Sequence, residues 1–148
     1  MTFEAEALSS IGYLRIFALG ERFDVNAYLE VHGALTPSRV WRRGEQDARP
    51  EHTHPKSSGL DVDLFDGPPP PLPEQQRIAS AYLSEHRDEL AALVAFPGVE
   101  TVILALHYRL RLDLDPNVFA FSMTPHRRLS RLALDLKIDP TFYVWLDR

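Results

Sequence analysis

The chain has 148 residues, 45% apolar, 25% charged and 10% aromatic, which is the size and mix of one globular domain and excludes wholesale disorder. It holds no cysteine, which removes disulfides, thiolate metal sites and thiol nucleophiles from consideration. Net charge is −5, from 21 acidic against 16 basic residues, so a general nucleic-acid surface is disfavoured and steering towards a basic partner is favoured. All the bases but Lys56 and Lys137 are arginine, whose planar fork pairs carboxylates and phosphates bidentately. The opening MTFEAEALSS carries two acids and no base, and no apolar run approaches the ~18 residues of a membrane span. The expectation is a cytoplasmic protein without membrane contact.

Residues 11–19, IGYLRIFAL, are rich in β-branched and aromatic types and read as a strand with Tyr13, Arg15 and Phe17 on one face. Asp24 before VNAYLEVH, with Gly33 after it, predicts a short capped helix. Thr36-Pro37 turns the chain into an extended segment through Val40 and Trp41, and residues 46–57 form a polar loop. In residues 58–65, Leu60, Val62 and Leu64 alternate with Asp61 and Asp63, the period of a half-exposed strand whose acids mark a wet face. The proline run 67–73 predicts a polyproline II connector, and the spacing of Ile78, Tyr82, Leu83, Leu90, Leu93 and Val94 predicts one long helix over 74–96. Strands over 100–112 and 118–123 are predicted around a turn at Asp113–Asn117. A helix capped by Thr124 with Pro125 at its first position follows, then a terminal strand over 141–146. The sum is one α+β domain over 1–148, in the order β-α-β-β-α-β-β-α-β, with a mostly antiparallel sheet and three helices packed on one face.

Catalytic signatures are absent: the sequence has no nucleophile elbow, no HExxH and no glycine-rich phosphate loop, so the expectation leans away from an enzyme and no cofactor is expected. His52 and His54 in EHTHP are the sharpest metal candidate, but a third ligand would have to come from Glu45, Asp61 or Asp63, and the spacing demands none of them. Asp113, Asp115 and Asn117 copy half a calcium loop. They lack the glycine at the sixth position, where Val118 stands, and the glutamate at the twelfth, where Thr124 stands. No metal is therefore assigned.

The constellation with most to offer is distributed. If Leu14, Ile16, Leu104, Leu106, Phe142 and Val144 face the helices, the opposite sheet face carries Tyr13, Arg15, Phe17, His107, Arg109, Arg111, Tyr143 and Trp145. Aromatic residues and arginine are enriched where proteins bind one another, and the same mixture can cradle an anion. A second arginine group, Arg39, Arg42 and Arg43, is a further candidate anion site.

The stretch LTPSRVWRRGE, residues 35–45, resembles the signature of the bacterial family of domain of unknown function 4279. That signature reads Leu-x-Pro-Thr-Arg, an aromatic or Arg, then basic-Gly-acid. The matching positions are Leu35, Pro37, Ser38, Arg39, Trp41, Arg42, Arg43, Gly44 and Glu45, with Ser38 keeping the hydroxyl of the usual threonine. The resemblance implies a compact α+β fold and no established activity, cofactor or catalytic residue. Physically, Ser38 is placed to bond a nearby amide, Arg39 to pair an acid, Trp41 to anchor packing and Gly44 to take a positive φ.

The functional expectation is a non-enzymatic domain that recognises another protein or a second copy of itself, with immunity-type inhibitors of basic toxins as an analogy. The alternative is a small anionic ligand held by the arginine and aromatic face. Nucleic acid and membrane are not expected as partners.

Overall fold

A computed structural model describes residues 13–44, 56–111 and 124–147; of residues 109–111, 146 and 147 it describes the backbone alone. Strand β1 spans Arg15–Gly20, helix α1 Val25–Val31, β2 Arg39–Trp41 and β3 Ser58–Asp63. Helices α2 (Leu72–Glu85) and α3 (Arg87–Ala95) follow, then β4 (Thr101–Arg111), α4 (Arg127–Leu136) and β5 (Asp139–Asp147). The sheet order is β2-β3-β1-β4-β5, which puts the first strand in the centre.

The α+β class holds, with two differences in detail. Among the described residues, three of the four strand pairings are antiparallel, but β5 runs parallel to β4, so the sheet is mixed. A parallel neighbour needs a crossover rather than a hairpin, and the segment carrying α4 supplies it. The expected strand at 118–123 and the turn before it lie outside the described residues, as do His52, His54 and most of the 46–57 loop.

The second difference is four helices among the described residues instead of three. The long 74–96 helix is two, meeting at His86, which ends α2 and starts α3. No glycine or proline stands at the joint, and the apolar spacing runs through it, so the sequence carries no mark of the break. Helix α2 also begins earlier than expected, inside the proline run. Pro71 is the N-cap and Pro73 sits in the first turn, where an amide hydrogen has no helical partner to lose. Similarly, α4 is capped by His126, whose Nδ1 accepts from Leu129 N at 3.1 Å, and Thr124 and Pro125 precede it. The Asp24 cap is as expected, accepting from Ala27 N at 3.0 Å.

The alternation of β1 decides the layering. Leu14, Ile16 and Ala18 are completely buried, while Arg15, Phe17 and Leu19 are half-buried on the other side. The buried set joins Leu60, Val62, Val102, Leu104 and Leu106 of the sheet in one cluster. Every helix adds to it: Val25 and Tyr28, Ala79 and Leu83, Leu90 and Leu93, Leu129 and Leu136. The described helices therefore all cover one face, and the second face has no helical cover among the described residues. Each fully buried leucine contributes about 2 kcal/mol by leaving water, so this layer is the main source of stability.

At the far end of β1 the chain turns tightly. Gly98 has φ 91°, and a side chain there would overlap the backbone of Arg22 and Phe23; only glycine fits this approach of the α3–β4 turn to the end of β1.

Candidate functional site

The second face, open in the sense that no described helix covers it, is built by register. Arg15 lies opposite Asp63 on β3 and Ala105 on β4, Phe17 opposite Asp61 and Ile103, and Asp61 in turn opposite Arg39 on β2. This alignment puts two arginines and two aspartates side by side. Arg15 contacts Asp61 Oδ2 at 3.1 Å and Asp63 Oδ1 at 3.2 Å, and Arg39 Nε contacts the same Asp61 oxygen at 3.1 Å. Asp61, expected on a wet strand face, is 2% exposed because the two guanidiniums enclose it. Burial pushes its carboxyl above the usual range, against the pull of Arg39 and Arg15.

Aromatic rings frame the cluster. Arg15 lies 5.0 Å over the Tyr13 ring and Arg39 4.9 Å over the Trp41 ring, within cation–π range. Trp41 lies against Gly59, the residue opposite it on β3; a Cβ on Gly59 would overlap the indole and the Ala18 carbonyl oxygen. Below Asp63, a shallow cavity of about 340 Å³ is lined by Tyr13, Asp63, Leu64, Phe65, Asp66 and Gly67.

The signature segment acts structurally here. Ser38 Oγ accepts from Asp63 N at 2.9 Å and Ser38 N donates to Asp61 O at 2.7 Å, so Ser38 fastens the entry of β2 to β3. Gly44 has the positive φ, 78°. Arg42 and Arg43 do not join Arg39. The Arg42 guanidinium donates to Asn26 Oδ1 at 2.8 Å on α1, and Arg43 is an exposed residue whose backbone N–H donates to Ser58 Oγ at 2.8 Å.

The second half of the face centres on His107, 4% exposed. Its ring lies between β1 and β5. Nε2–H donates to the Tyr13 carbonyl at 2.7 Å, and Nδ1 accepts from Trp145 Nε1–H at 3.0 Å. The two bonds require opposite roles of the two nitrogens, which fixes the neutral imidazole with its hydrogen on Nε2. Tyr143, opposite His107 in the register, stacks on it with ring centroids 5.4 Å apart, and Trp145 lies nearly coplanar at 6.1 Å. Burial, with Arg15 adding repulsion, holds the proton affinity of His107 below the ordinary 6.5 even though the Tyr13 carbonyl favours the charged form.

The backbone of His107 is fixed from the other layer. Gln75 of α2, 1% exposed, donates from Nε2 to His107 O at 2.7 Å and accepts at Oε1 from His107 N at 2.8 Å, the pair of bonds a neighbouring strand would make. The same Nε2 donates to Pro70 O at 2.7 Å, tying the proline run to β4. Gln75, Asp61 and Trp41 were not among the expected binding residues. A signal for Gln75 was present: it stands four and eight residues before Ala79 and Leu83, on the core stripe.

Of the expected site residues, Arg15, His107, Tyr143 and Trp145 share this face, Arg39 joins them through Asp61, and Arg42 and Arg43 lie apart. Arg109 is opposite Trp145 in the β4–β5 register, and its side chain lies outside the described residues. Among the described residues there is no group of three His, Cys, Asp or Glu able to hold a metal, and no helix long and apolar enough to cross a membrane. No family model matches the chain, and neither a curated protein nor a solved structure matches it.

Proposed function

We propose that this chain is a non-enzymatic recognition domain that binds another protein through the open sheet face, with Trp145, Tyr143, Arg15 and Arg39 as its anchors. The observation that carries this reading is the Arg15–Asp61–Arg39 arrangement together with the His107–Trp145 bond. Side chains that are already held in place lose little freedom on binding, and rigid aromatic and arginine groups are the usual centres of protein interfaces. The net charge of −5 favours a basic partner, whose approach it would accelerate. An inhibitor of a basic protein fits that chemistry. Membership of the domain of unknown function 4279 family, on the Leu35–Glu45 resemblance, belongs to the same proposal and adds no activity to it.

The small-anion alternative is less well supported. Arg15 and Arg39, the arginines of the face whose side chains are described, are committed to Asp61, and Arg15 also to Asp63, so these two positive charges already face two negative ones. An anion would have to displace a carboxylate that is fixed in the sheet.

The test compares the wild type with a Tyr143→Ala/Trp145→Ala variant and with a Leu134→Ala variant on the exposed side of α4, using affinity capture from the native host followed by sedimentation of the purified pair. One distinct partner protein bound stoichiometrically by wild type and by Leu134→Ala but lost from the double variant supports the proposal. Binding that survives in the double variant, or an isolated wild-type chain that forms no stoichiometric complex, overturns it.

A further inference from the structure

We propose that His107 is a proton-controlled latch on this face: neutral, it holds Trp145 in place from β4, and protonated, it lets Trp145 go. The control of binding rests on the recognition reading above; the latch itself does not.

A neutral imidazole offers one donor and one acceptor, and both are used, the donor on the Tyr13 carbonyl and the acceptor on the Trp145 indole. Protonation places a second hydrogen on Nδ1, aimed at the Trp145 Nε1–H. Indole nitrogen donates only, so no rearrangement of protons restores the bond, and one of the two rings must turn away. His107 is the less able to turn. Its backbone is held on both polar groups by Gln75, its Nε2–H bond to Tyr13 strengthens on protonation, and Tyr143 covers its face. Trp145 is near the end of the outermost described strand, is partly exposed, and has the freedom to move.

Among the described residues, the surroundings offer the new charge no compensation. From β1, Arg15 faces the ring with like charge; from β5 come Tyr143 and Trp145, neither of them anionic at neutral pH; and from α2 comes the uncharged Gln75. The neighbouring carboxylates Asp61 and Asp63 are engaged by Arg15 and Arg39. The latch is therefore closed at neutral pH and above, and opens as pH falls below the ordinary histidine range, with the onset set by burial. A recognition face assembled this way loses an aromatic anchor once His107 takes up its proton, while the core layer behind it stays intact.

The experiment uses the whole chain carrying Trp41→Phe, so that Trp145 is the only indole. Its emission is followed from pH 8 to 5 beside far-ultraviolet circular dichroism, with ¹⁵N spectra of the histidine rings giving the tautomer and titration of His107. The expected result is an Nε2–H tautomer at pH 8, then a red shift of Trp145 emission that tracks the His107 titration, with a midpoint below 6.5 and unchanged dichroism. In a further Trp145→Phe variant, which keeps the ring and removes the N–H, the His107 midpoint should move up because the bond to the neutral form is gone. Emission that stays constant while His107 titrates, an Nδ1–H tautomer at pH 8, or an unmoved midpoint in Trp145→Phe overturns the latch. None of these readouts involves a partner, so a failed latch and a failed recognition reading are told apart.

Discussion

Replacing Gln75 by alanine tests how the helical layer holds the open face. The side chain makes three hydrogen bonds, two of them to the backbone of His107, and it is almost wholly buried. Its removal leaves the His107 N–H and C=O without partners unless water enters the space vacated. An unsatisfied buried group costs roughly 1–3 kcal/mol. With water recovering part of that loss, Gln75→Ala should destabilise by about 2–4 kcal/mol. The neighbouring Gln76 is an internal control with the same chemistry. Its Oε1 accepts from His126 N at an exposed site, so Gln76→Ala should cost about 1 kcal/mol or less. Gln75→Glu keeps the acceptor for His107 N but loses both donors and sets a carboxylate beside two carbonyl oxygens, so it should be at least as damaging as alanine. Urea denaturation is the assay, with a lowered midpoint at unchanged slope as the expected form of the effect. A loss below about 1 kcal/mol for Gln75→Ala, or equal losses at positions 75 and 76, would refute the reasoning.

Three other substitutions probe separate parts of the fold. Asp61→Asn removes the carboxylate that two guanidiniums share, and with Arg15 still able to reach Asp63 the expected loss is about 2 kcal/mol, read by chemical denaturation at neutral pH. Gly59→Ala drives a methyl group into the Trp41 ring and the Ala18 carbonyl, so the Trp41 emission should shift and stability fall by about 1–3 kcal/mol; an unchanged spectrum and midpoint would contradict the close approach. Leu104→Ala in the middle of the core should cost about 2–5 kcal/mol in the same assay, whereas Leu134→Ala on the exposed side of α4 should stay within about 0.5 kcal/mol of wild type.

The division between core face and open face was legible in the sequence because a strand's period is two. Leu14, Ile16, Leu104 and Leu106 went to the core, and Tyr13, Arg15, Phe17 and His107 to the other side, as alternation requires, whereas Val144, expected to face the helices, is 43% exposed on the outermost described strand. Asp61 went against expectation for a reason alternation does not contain. Its burial comes from arginines on two other strands, and strand order is not written in local pattern. The same holds for β5: its residues read as a strand, but whether it meets β4 parallel or antiparallel depends on the path of the connection. The break at His86 had no local signal either, since good helix formers flank it on both sides. At the site, Arg39 was placed correctly to pair an acid, while its separation from Arg42 follows from the position of α1, which supplies Asn26.

The central position of β1 has a consequence for the chain as it leaves the ribosome. Synthesised before either neighbour, β1 must wait for residues 58–63 to gain its first neighbour and for 101–105 to gain its second. Until then Leu14, Ile16 and Ala18 have no sheet to join, and the nascent polypeptide carries an apolar strand with both edges open. Such a strand is a template for pairing with other chains. Because both neighbours of β1 come from far along the chain, folding of the described part depends on long-range encounter, the condition under which folding is slow. Arg15, at the start of the same strand, keeps a charge within that exposed segment during the wait, and later becomes the residue on which Asp61 and Asp63 converge.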